Sequence, residues 1–279
     1  MATMVEQMLA RHPRDTDAAM TLALREVMQE IALAGLNRGG FFGKAAFYGG
    51  TCLRVFYGLP RFSEDLDFSL LKTDREFSLR PYLKVLQNEF AAFGFEVEVV
   101  EKQKTATSDI ASAFLKKSSS IYDLEVSGKK TLKIKIEVDI DPPQGFSTEP
   151  KLLIQPYSFY VSCFSLPDLF AGKMHALLFR KWKNRVNGRD WFDFEWYIRQ
   201  GTPLNLPHLV ERARQSGHWQ GEDMTPQQFM ELLRARIQSL DVDSVRLEVS
   251  RFVRETDQLQ IWSRDYFMQL AELLHYSNE

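Results

Sequence analysis

Two aspartates separated by one residue are the strongest chemical signal in this sequence. Asp65 and Asp67 open the segment 65–71, which alternates polar and apolar residues as a β-strand does. On a strand they point to the same face, about 7 Å apart along the backbone. Their carboxylates can converge on Mg²⁺ or Mn²⁺, which leave positions for water and substrate phosphates. The spacing therefore predicts metal-assisted phosphoryl transfer, in which such ions hold the attacking and leaving oxygens.

A pair of glycines a short distance upstream supplies a second ingredient of that chemistry. Gly49, Gly50 and Thr51 lead from a predicted strand over 46–48 into a predicted short helix that ends at Tyr57. Backbone N–H groups at such a turn can hold a triphosphate, and glycines let it come close because they lack Cβ. Thr51 can either cap the helix or bond a phosphate oxygen. Each motif alone is common on solvated surfaces, but their order along the chain is far more specific.

A third carboxylate is predicted on a later strand. Residues 132–140 alternate strictly between apolar and charged side chains, so that Lys133, Lys135, Glu137 and Asp139 share one face. Glu137 or Asp139 can complete a metal site with an aspartate pair on a neighbouring strand. A half-exposed strand with alternating charges is the competing interpretation, and the pattern does not choose between the two acids.

Lys173, Arg189 and Asp193 are the candidates in the C-terminal half. Lys173 lies in a predicted helix over 166–183 among small and apolar residues, where it can reach a phosphate as a point charge. The next predicted helix opens at Arg189 and places it at i, i+4 from Asp193, which predicts an ion pair between them. Asp190 has a simpler interpretation, as an acid that complements the helix dipole.

Around the junction of those two predicted helices the chain is rich in basic residues. Five of them lie within ten positions, together with a tryptophan: Arg180, Lys181, Lys183, Arg185, Arg189 and Trp182. Cations and an aromatic ring in this arrangement can contact an RNA backbone and stack on a base. The competing interpretation is a solvated basic loop.

The elements that must position these residues form two groups along the chain. Besides the strand and the short helix that flank the glycines, the first group contains two predicted helices, 17–34 with a stop at Gly35 and 74–93. Its other predicted strands are 65–71, 95–100, 110–115, 120–126 and 132–140. The second group is helical: 166–183, 189–199, 206–216, 225–240 and 261–276. Because strands and helices do not alternate regularly, we expect an α+β fold with a mixed sheet and flanking helices. We predict an α/β domain over 1–164 with an N-terminal helix, and a helical domain over 165–279.

Composition narrows the class of protein further. The net charge of −2 over 279 residues argues against a chain that attracts nucleic acid with its whole surface. Two isolated cysteines, Cys52 and Cys163, are too few for a disulfide framework or a zinc site, which fits a reducing cytoplasm. The first residues lack the apolar core of a signal peptide, and no run of about 18 apolar residues exists. We therefore expect a cytoplasmic protein without a membrane span.

These segments together resemble the AbiEii/AbiGii nucleotidyltransferase family, a branch of the DNA polymerase β-like superfamily linked to toxin–antitoxin and abortive-infection systems of phage defence. The resemblance spans about residues 45–200 and is carried by four strings: Gly49–Arg54, Arg61–Phe68, Ala171–Ala176 and Arg189–Asp193. The string Arg61–Phe68, RFSEDLDF, is highly specific. Thr51 departs from the glycine–serine turn of the superfamily but keeps the hydroxyl.

The resemblance implies a polymerase β-like nucleotidyltransferase fold and a defined site. It implies that Mg²⁺ or Mn²⁺ assists transfer of a nucleoside monophosphate from an NTP to RNA, with tRNA ends among the acceptors. The implied metal-binding acids are Asp65, Asp67 and Glu137, with Asp139 in reserve. The implied NTP-binding residues are Gly49, Gly50, Thr51, Arg54, Lys173 and Arg189. The helical domain would add Lys173 and Asp193 to the catalytic set, and a cognate antitoxin would be the partner protein.

Three other functions stay open. A kinase-like phosphotransferase on the same scaffold would move the γ-phosphate instead of the nucleotidyl group. A metal-dependent phosphohydrolase would release product without incorporating nucleotide. A non-catalytic module that binds RNA or protein is the third alternative, but such a module has no need to hold two like charges together.

Overall fold

The computed structural model describes residues 2–102, 119–127, 132–180 and 187–277. Contacts along the chain divide these residues into two compact units. The first unit contains the chain up to Gly58, Ser63–Pro142 and Thr148–Cys163, and the second contains Leu59–Phe62, Pro143–Ser147 and the chain from Phe164 onward. The first unit builds the sheet, whereas the second unit is helical.

Among the described residues, a seven-stranded mixed sheet forms the centre of the first unit. Its strands are β1 Ala45–Tyr48, β2 Leu66–Leu70, β3 Glu96–Lys102, β4 Ser119–Ser127, β5 Leu132–Asp139, β6 Thr148–Leu153 and β7 Phe159–Phe164. Across the sheet the order is β3-β4-β5-β2-β1-β7-β6. β1 pairs antiparallel with β2 and parallel with β7, whereas β2 runs parallel to β5. The strands that carry the predicted acids, β2 and β5, are therefore neighbours at the centre of the sheet.

One face of these central strands is apolar and packs into the core. Phe47 on β1, Phe68 on β2 and Ile136 on β5 are fully buried, and the rings of Phe47 and Phe68 lie 5.0 Å apart. An aromatic pair at this separation adds about 0.5–1.5 kcal/mol to the stability gained by burial alone. Because side chains alternate along a strand, the core also fixes Asp67 and Glu137 on the opposite face.

The helices of the first unit are α1 Met4–Leu9, α2 Asp17–Arg38, α3 Gly49–Tyr57 and α4 Arg80–Ala92, with a 3₁₀ turn at Phe41–Gly43. α2 begins after Thr16, whose hydroxyl accepts a hydrogen bond from the N–H of Ala19 and satisfies one donor at the helix end. The prediction that this helix stops at Gly35 is wrong, because α2 continues to Arg38. Gly35 instead lies against α4, where an added Cβ would come within 3.1 Å of Leu86.

The helices of the second unit are α5 Leu166–Phe179, α6 Gly188–Arg199, α7 Leu206–Gln215, α8 Pro226–Gln238, α9 Val242–Val249 and α10 Arg264–Glu272, with a 3₁₀ segment at Asp257–Ile261. The ring of Phe170 on α5 stacks on Tyr197 of α6, with centroids 4.4 Å apart. Asp168 in the first turn of α5 is buried and accepts hydrogen bonds from Ser147 and Asn205. A buried carboxylate needs such partners, and these contacts hold the helix that carries the predicted Lys173.

The observed architecture confirms the predicted α+β class, with a mixed sheet, flanking helices and a helical C-terminal part. Among the described residues, two strands and two α-helices have no counterpart among the predicted elements: β6, β7, α1 and α9. Within the described ranges, none of the helices combines the length and the apolar character needed to cross a membrane.

Several predicted boundaries differ from the observed ones. The helix predicted over 74–93 begins only at Arg80, because Pro81 occupies its first turn and favours a helix start. α5 ends at Phe179, short of the predicted 183, since Arg180 is already extended. The last predicted helix, over 261–276, corresponds to the shorter helix α10, Arg264–Glu272. The strand predicted over 110–115 lies outside the described residues.

Candidate active site

Two neighbouring strands of the first unit, and the residue just before one of them, carry the three predicted acids. Asp67 on β2 is in register with Glu137 on the parallel strand β5. Asp65 lies immediately before β2, two residues from Asp67. Side chains of register partners project from the same face, and the strands are about 4.8 Å apart. The sheet therefore brings Asp67 and Glu137 together, with Asp65 beside them.

Asp139, the alternative third acid, occupies a different position. It is in register with Ser69, two residues beyond Asp67. Its Oδ1 accepts a hydrogen bond of 3.2 Å from the backbone N–H of Asp141, at the point where β5 ends. The register favours Glu137 as the third acid and gives Asp139 a part in shaping the strand end.

The glycine turn lies directly against Asp67. Gly49 follows β1 as the first residue of α3, with a φ of +81°. A Cβ on Gly49 would lie 2.6 Å from Oδ2 of Asp67, which is closer than real Cβ atoms approach other atoms. Only glycine meets both demands, because a left-handed φ alone costs other residues about 1–2 kcal/mol. The N-terminus of α3 and a carboxylate of β2 therefore meet at one place.

Gly50 and Thr51 are buried in the first turn of α3. The hydroxyl of Thr51 donates a hydrogen bond to the backbone carbonyl of Asp65. This bond links α3 to the residue that enters β2, and so it positions the acids relative to the glycine turn. The predicted contacts of Gly49, Gly50 and Thr51 with an NTP stay predictions.

A lysine lies among these acids. The Nζ of Lys135 is 2.6 Å from Oε2 of Glu137 and 3.8 Å from Oδ2 of Asp65. Burial would lower the pKa of Lys135, but the hydrogen bond to Glu137 and the charges of Asp65 and Asp67 raise it. The side chain of Lys135 is therefore a charged ammonium at neutral pH, and it offsets part of the negative charge of the three acids.

The donors of this site fit a divalent cation by their chemistry. Asp65, Asp67 and Glu137 offer the hard oxygen atoms that Mg²⁺ and Mn²⁺ prefer. The ammonium of Lys135 lies beside two of them, so the space between the strands accommodates a positive charge. In the part of the chain that the structure describes, no three acidic, histidine or cysteine side chains are already gathered around one point. We infer that metal binding would require the carboxylates to turn toward the ion.

Arg54, which was predicted to contact the nucleotide, forms an ion pair inside the first unit. Its Nε lies 2.6 Å from Oε1 of Glu26 on α2, and Nδ1 of His12 lies 2.8 Å from the other oxygen of that carboxylate. Burial would raise the pKa of Glu26, but the hydrogen bonds with His12 and Arg54 lower it to about 2. Arg54 therefore ties α3 to α2, and its contact with a nucleotide stays a prediction.

The second unit contains a closed group of charges that includes Lys173 and Asp193. Arg61 donates two hydrogen bonds of 2.6 Å to the two carboxylate oxygens of Asp193, and both side chains are at most 2% exposed. The Nζ of Lys173 lies 2.7 Å from Asp193 and 3.7 Å from Asp190. We call Arg61, Lys173, Asp190 and Asp193 the closed ion cluster, and Asp65, Asp67, Glu137 and Lys135 the open acidic site.

Pairing decides the charge states in the closed ion cluster. Burial alone would raise the pKa of Asp193, yet Arg61 and Lys173 hold it below its usual value. Burial would lower the pKa of Arg61, but the charge of Asp193 raises it. Asp193 is therefore a counter-ion of Arg61 and Lys173 within the second unit. That Lys173 and Asp193 join the acids of the first unit in one catalytic set stays a prediction.

The predicted i, i+4 pair of Arg189 and Asp193 is wrong. The Nε of Arg189 lies 3.6 Å from Glu248 on α9, and its guanidinium stacks over the ring of Phe252 at 4.2 Å. Asp193 is buried and pairs with Arg61 instead, because α6 turns this residue into the interior. The predicted contact of Arg189 with an NTP stays a prediction. Of the basic segment predicted to contact RNA, residues 181–186 lie outside the described residues.

Arg61 and Lys135 are site residues that the sequence patterns did not single out. Arg61 opens the string RFSEDLDF, but its partner Asp193 lies 132 residues away, and no spacing rule connects the two. Lys135 was visible only as one of the alternating charges of β5. Lys135 lies two residues before Glu137 on the same strand face, and this spacing could have predicted its contact with the acids.

Comparison with known proteins identifies the class of protein to which this sheet, its glycine turn and its acids belong. Residues 31–278 match the family described as nucleotidyl transferase AbiEii toxin, type IV toxin–antitoxin system. The chain belongs to this AbiEii family, which confirms the resemblance seen in the sequence. It is therefore an enzyme that transfers nucleotides, and a family of this kind implies an NTP as substrate and an antitoxin as partner.

Solved structures agree with this fold. The chain is similar to JHP933 from Helicobacter pylori, with a TM-score of 0.55 and 16% identity over 91% of both chains. It is also similar to MenT4, a nucleotidyltransferase toxin from Mycobacterium tuberculosis H37Rv, with a TM-score of 0.51 and 17% identity. That match covers 99% of this chain and 100% of MenT4. At such identities the likeness concerns the fold alone. No curated protein sequence matches the chain.

Proposed function

We propose that this enzyme transfers a nucleoside monophosphate from an NTP to RNA, with tRNA ends as the first acceptors to test, in a reaction that requires Mg²⁺ or Mn²⁺. One observation carries the proposal: the start of α3 at Gly49 lies against the carboxylate of Asp67. A helix N-terminus suits phosphate groups, and paired carboxylates suit divalent cations. The meeting of these two groups in the first unit supports the proposed nucleotidyl transfer.

The residues of the first unit take distinct parts in this proposal. Asp65, Asp67 and Glu137 would hold the metal, which when bound would neutralise phosphate charge and orient the reacting oxygens. The N–H groups of the glycine turn at Gly49 bind the triphosphate, and the Thr51 hydroxyl holds that turn at a fixed distance from the acids. Positioning and electrostatic stabilisation therefore account for most of the rate enhancement, as expected for phosphoryl transfer.

For the second unit we propose that Lys173 neutralises charge on the leaving pyrophosphate, as the family resemblance implies. Asp193 then acts as a positioning residue, because it holds the Lys173 ammonium at 2.7 Å. Arg61 is the other partner of that carboxylate and keeps it ionised. The proposed nucleotide contacts of Arg54 and Arg189 would require each side chain to serve the substrate in addition to Glu26 and Glu248.

We propose RNA as the acceptor because of the basic residues from Arg180 to Arg189 and because of the family resemblance. Closely spaced cations suit a phosphate backbone, and a tryptophan among them suits an unpaired base. The proposed biological role is that of the toxin in a type IV toxin–antitoxin pair, whose antitoxin counteracts this activity.

The test is an incorporation assay with each α-³²P-NTP in turn, Mg²⁺ and total RNA. We expect labelled RNA with the native chain and at least a thousandfold loss with Asp65→Asn/Asp67→Asn. The matched control is Asp223→Asn/Asp243→Asn, which makes the same chemical change at aspartates whose side chains are 97% and 92% exposed. Glu137→Gln should lose far more activity than Asp139→Asn, since Glu137 is the register partner of Asp67.

Three results would change the proposal. Full incorporation by Asp65→Asn/Asp67→Asn would remove these acids from the reaction. Label transferred only from γ-³²P-ATP would indicate the kinase-like alternative. Label on a protein instead of RNA would keep the nucleotidyl transfer but replace the acceptor.

A further inference from the structure

The open acidic site carries a cation of its own in the side chain of Lys135. The ammonium lies 2.6 Å from Glu137 and 3.8 Å from Asp65. It therefore contacts one acid on β5 and one acid next to β2. The Lys135 side chain is 34% exposed, compared with 28% for Glu137 and 46% for Asp65. Charges that remain open to water can exchange partners, which the buried charges of the closed ion cluster cannot do without a large desolvation cost.

The strand register explains how Lys135 reaches both acids. Lys135 and Glu137 are two residues apart on β5 and share its polar face. In the parallel pair, Asp67 lies opposite Glu137. Asp65 directly precedes β2, and its Oδ2 lies 3.8 Å from the Lys135 ammonium. The lysine therefore occupies a position within the row of acids on the sheet, set by the same pairing that gathers them.

We propose that Lys135 is a resident counter-cation of the open acidic site, which holds the carboxylates together in the absence of metal and competes with a divalent cation for them. The inference rests on the proposed function, because it takes Asp65, Asp67 and Glu137 as the metal-binding acids. Carboxylates at neighbouring positions on one face repel one another, and an ammonium in contact with two of them offsets that repulsion. The same ammonium opposes a second positive charge, so Lys135 is a positioning residue that weakens metal affinity.

The test is a titration with Mn²⁺, followed through the electron paramagnetic resonance signal of the free ion, on the full chain and its variants. Lys135→Met removes the charge and keeps the length of the side chain, and we expect it to bind Mn²⁺ about fivefold more tightly, a modest effect because the pair is partly exposed. Lys135→Arg keeps the charge and should stay within about twofold of the native affinity.

Lys133→Met is the matched control. Lys133 lies on the same strand and the same face, is exposed, and its loss changes the net charge of the chain by the same amount. A general electrostatic effect would act on both lysines, whereas a counter-cation effect is confined to Lys135. A role limited to the stability of the fold would not tighten Mn²⁺ binding at all.

A second measurement is thermal unfolding with EDTA and with saturating Mn²⁺. Lys135→Met should unfold at a lower temperature than the native chain in EDTA, because the acids then lack their counter-cation. Saturating Mn²⁺ should narrow that difference, because the metal takes over the same role. A difference that is equal in both conditions would overturn the proposal.

The outcomes separate this inference from the proposed function. If Lys135→Met binds Mn²⁺ no more tightly than Lys133→Met, while Asp65→Asn/Asp67→Asn abolishes binding, the metal site stands and the role of Lys135 is refuted. If Asp65→Asn/Asp67→Asn binds Mn²⁺ as well as the native chain, the assignment of the metal site itself fails. Absence of Mn²⁺ binding in every protein would overturn both.

Discussion

The open acidic site and the closed ion cluster use the same residue types under opposite conditions. In the open acidic site, three carboxylates face the ammonium of Lys135, and the side chains of Lys135, Asp65 and Glu137 are between 28% and 46% exposed. In the closed ion cluster, two carboxylates are balanced by Arg61 and Lys173, and Asp193 is fully buried. A partly exposed acid can exchange its partner for a new cation at little cost, whereas a fully buried acid can do so only at a large desolvation cost.

This difference separates partly exposed acids from an acid that is fully buried with its partners. Asp67 and Asp193 are both aspartates, and both were predicted as site residues from the sequence. Asp193 receives two hydrogen bonds from Arg61 and one contact from Lys173. Removing one partner of such a buried pair leaves an uncompensated charge, while the loss of one partner in an exposed pair costs little.

The largest expected effect on stability comes from removing one of the two cations, Arg61, from the closed ion cluster. Arg61→Met should lower the free energy of unfolding by about 3–5 kcal/mol, because Asp193 would remain buried with half of its compensation gone. Lys135→Met removes a cation from the open acidic site and should cost at most about 1 kcal/mol. Urea unfolding of both variants beside the native chain measures the two costs, and equal costs would contradict the distinction between the two regions.

A smaller effect is expected on the reaction itself, through Gly49. Gly49→Ala would place a Cβ 2.6 Å from Oδ2 of Asp67 and displace the carboxylate. A shift of about 1 Å in an active site can cost roughly a hundredfold in rate, so we expect a loss of that order in nucleotide incorporation. The rate should be compared at saturating NTP and RNA.

Gly58→Ala is the control for this prediction. Gly58 follows the other end of α3, has a φ of +78°, and an added Cβ there meets no atom within 4 Å. Both variants should lose about 1–2 kcal/mol of stability from the left-handed backbone, but only Gly49→Ala should lose activity. Equal losses of activity would show that backbone strain, and not the displaced carboxylate, is responsible.

The pH dependence of stability at Glu26, which pairs with Arg54, tests whether burial increases the contribution of an ion pair to the free energy of unfolding. The pKa of Glu26 is lowered to about 2 in the folded chain from an ordinary value of 4.5. A depressed folded pKa contributes stability that is present above pH 4.5 and is lost as the pH falls toward 2. The gap in unfolding free energy between the native chain and Glu26→Gln should therefore narrow by about 2 kcal/mol from pH 6 to pH 3. A gap that is constant over this range would show that Glu26 is not an effective ion-pair partner.

The smallest expected effect concerns Thr51. Its hydroxyl donates to the carbonyl of Asp65, and Thr51→Val should lower the free energy of unfolding by about 1 kcal/mol. Thr51→Ser keeps the hydroxyl and should retain most of the affinity for NTP. If Thr51→Val instead raises KM for the NTP strongly without any change in stability, the hydroxyl contacts the substrate more than it positions Asp65.

The sequence predicted the parts of the fold that local patterns determine. The alternation over 132–140 corresponds to β5, and the glycine after Tyr57 ends α3 in the left-handed conformation. β6 was missed because its charged residues and Pro150 weaken the strand pattern, which a strand at the sheet edge tolerates. The start of α4 was misplaced because residues 74–79 carry helix-compatible side chains but lie before the proline that begins the helix.

The candidate site was predictable where its members are close in sequence or share a strand face. The closeness of Asp65 and Asp67 follows from their spacing. The alternation of β5 placed Glu137 and Asp139 on one face, but only the register with β2 distinguishes the two acids. The partner of Asp193 was not predictable, because Arg61 is 132 residues away and only the tertiary fold brings them together. The helical spacing of Arg189 and Asp193 gave a wrong partner, since burial of one face of α6 outweighs a surface i, i+4 pair.

The eight residues from Arg61 to Phe68 serve two units of the molecule at once. Arg61 belongs to the second unit, whereas Asp65 and Asp67 belong to the first. A saturation mutagenesis library over this string, scored separately for cellular abundance and for toxicity, should divide it accordingly. Substitutions of Arg61 would deplete abundance, and substitutions of the two aspartates would abolish toxicity while the chain accumulates normally. The two ends of this motif would then be required for different reasons, Arg61 for stability and the two aspartates for activity.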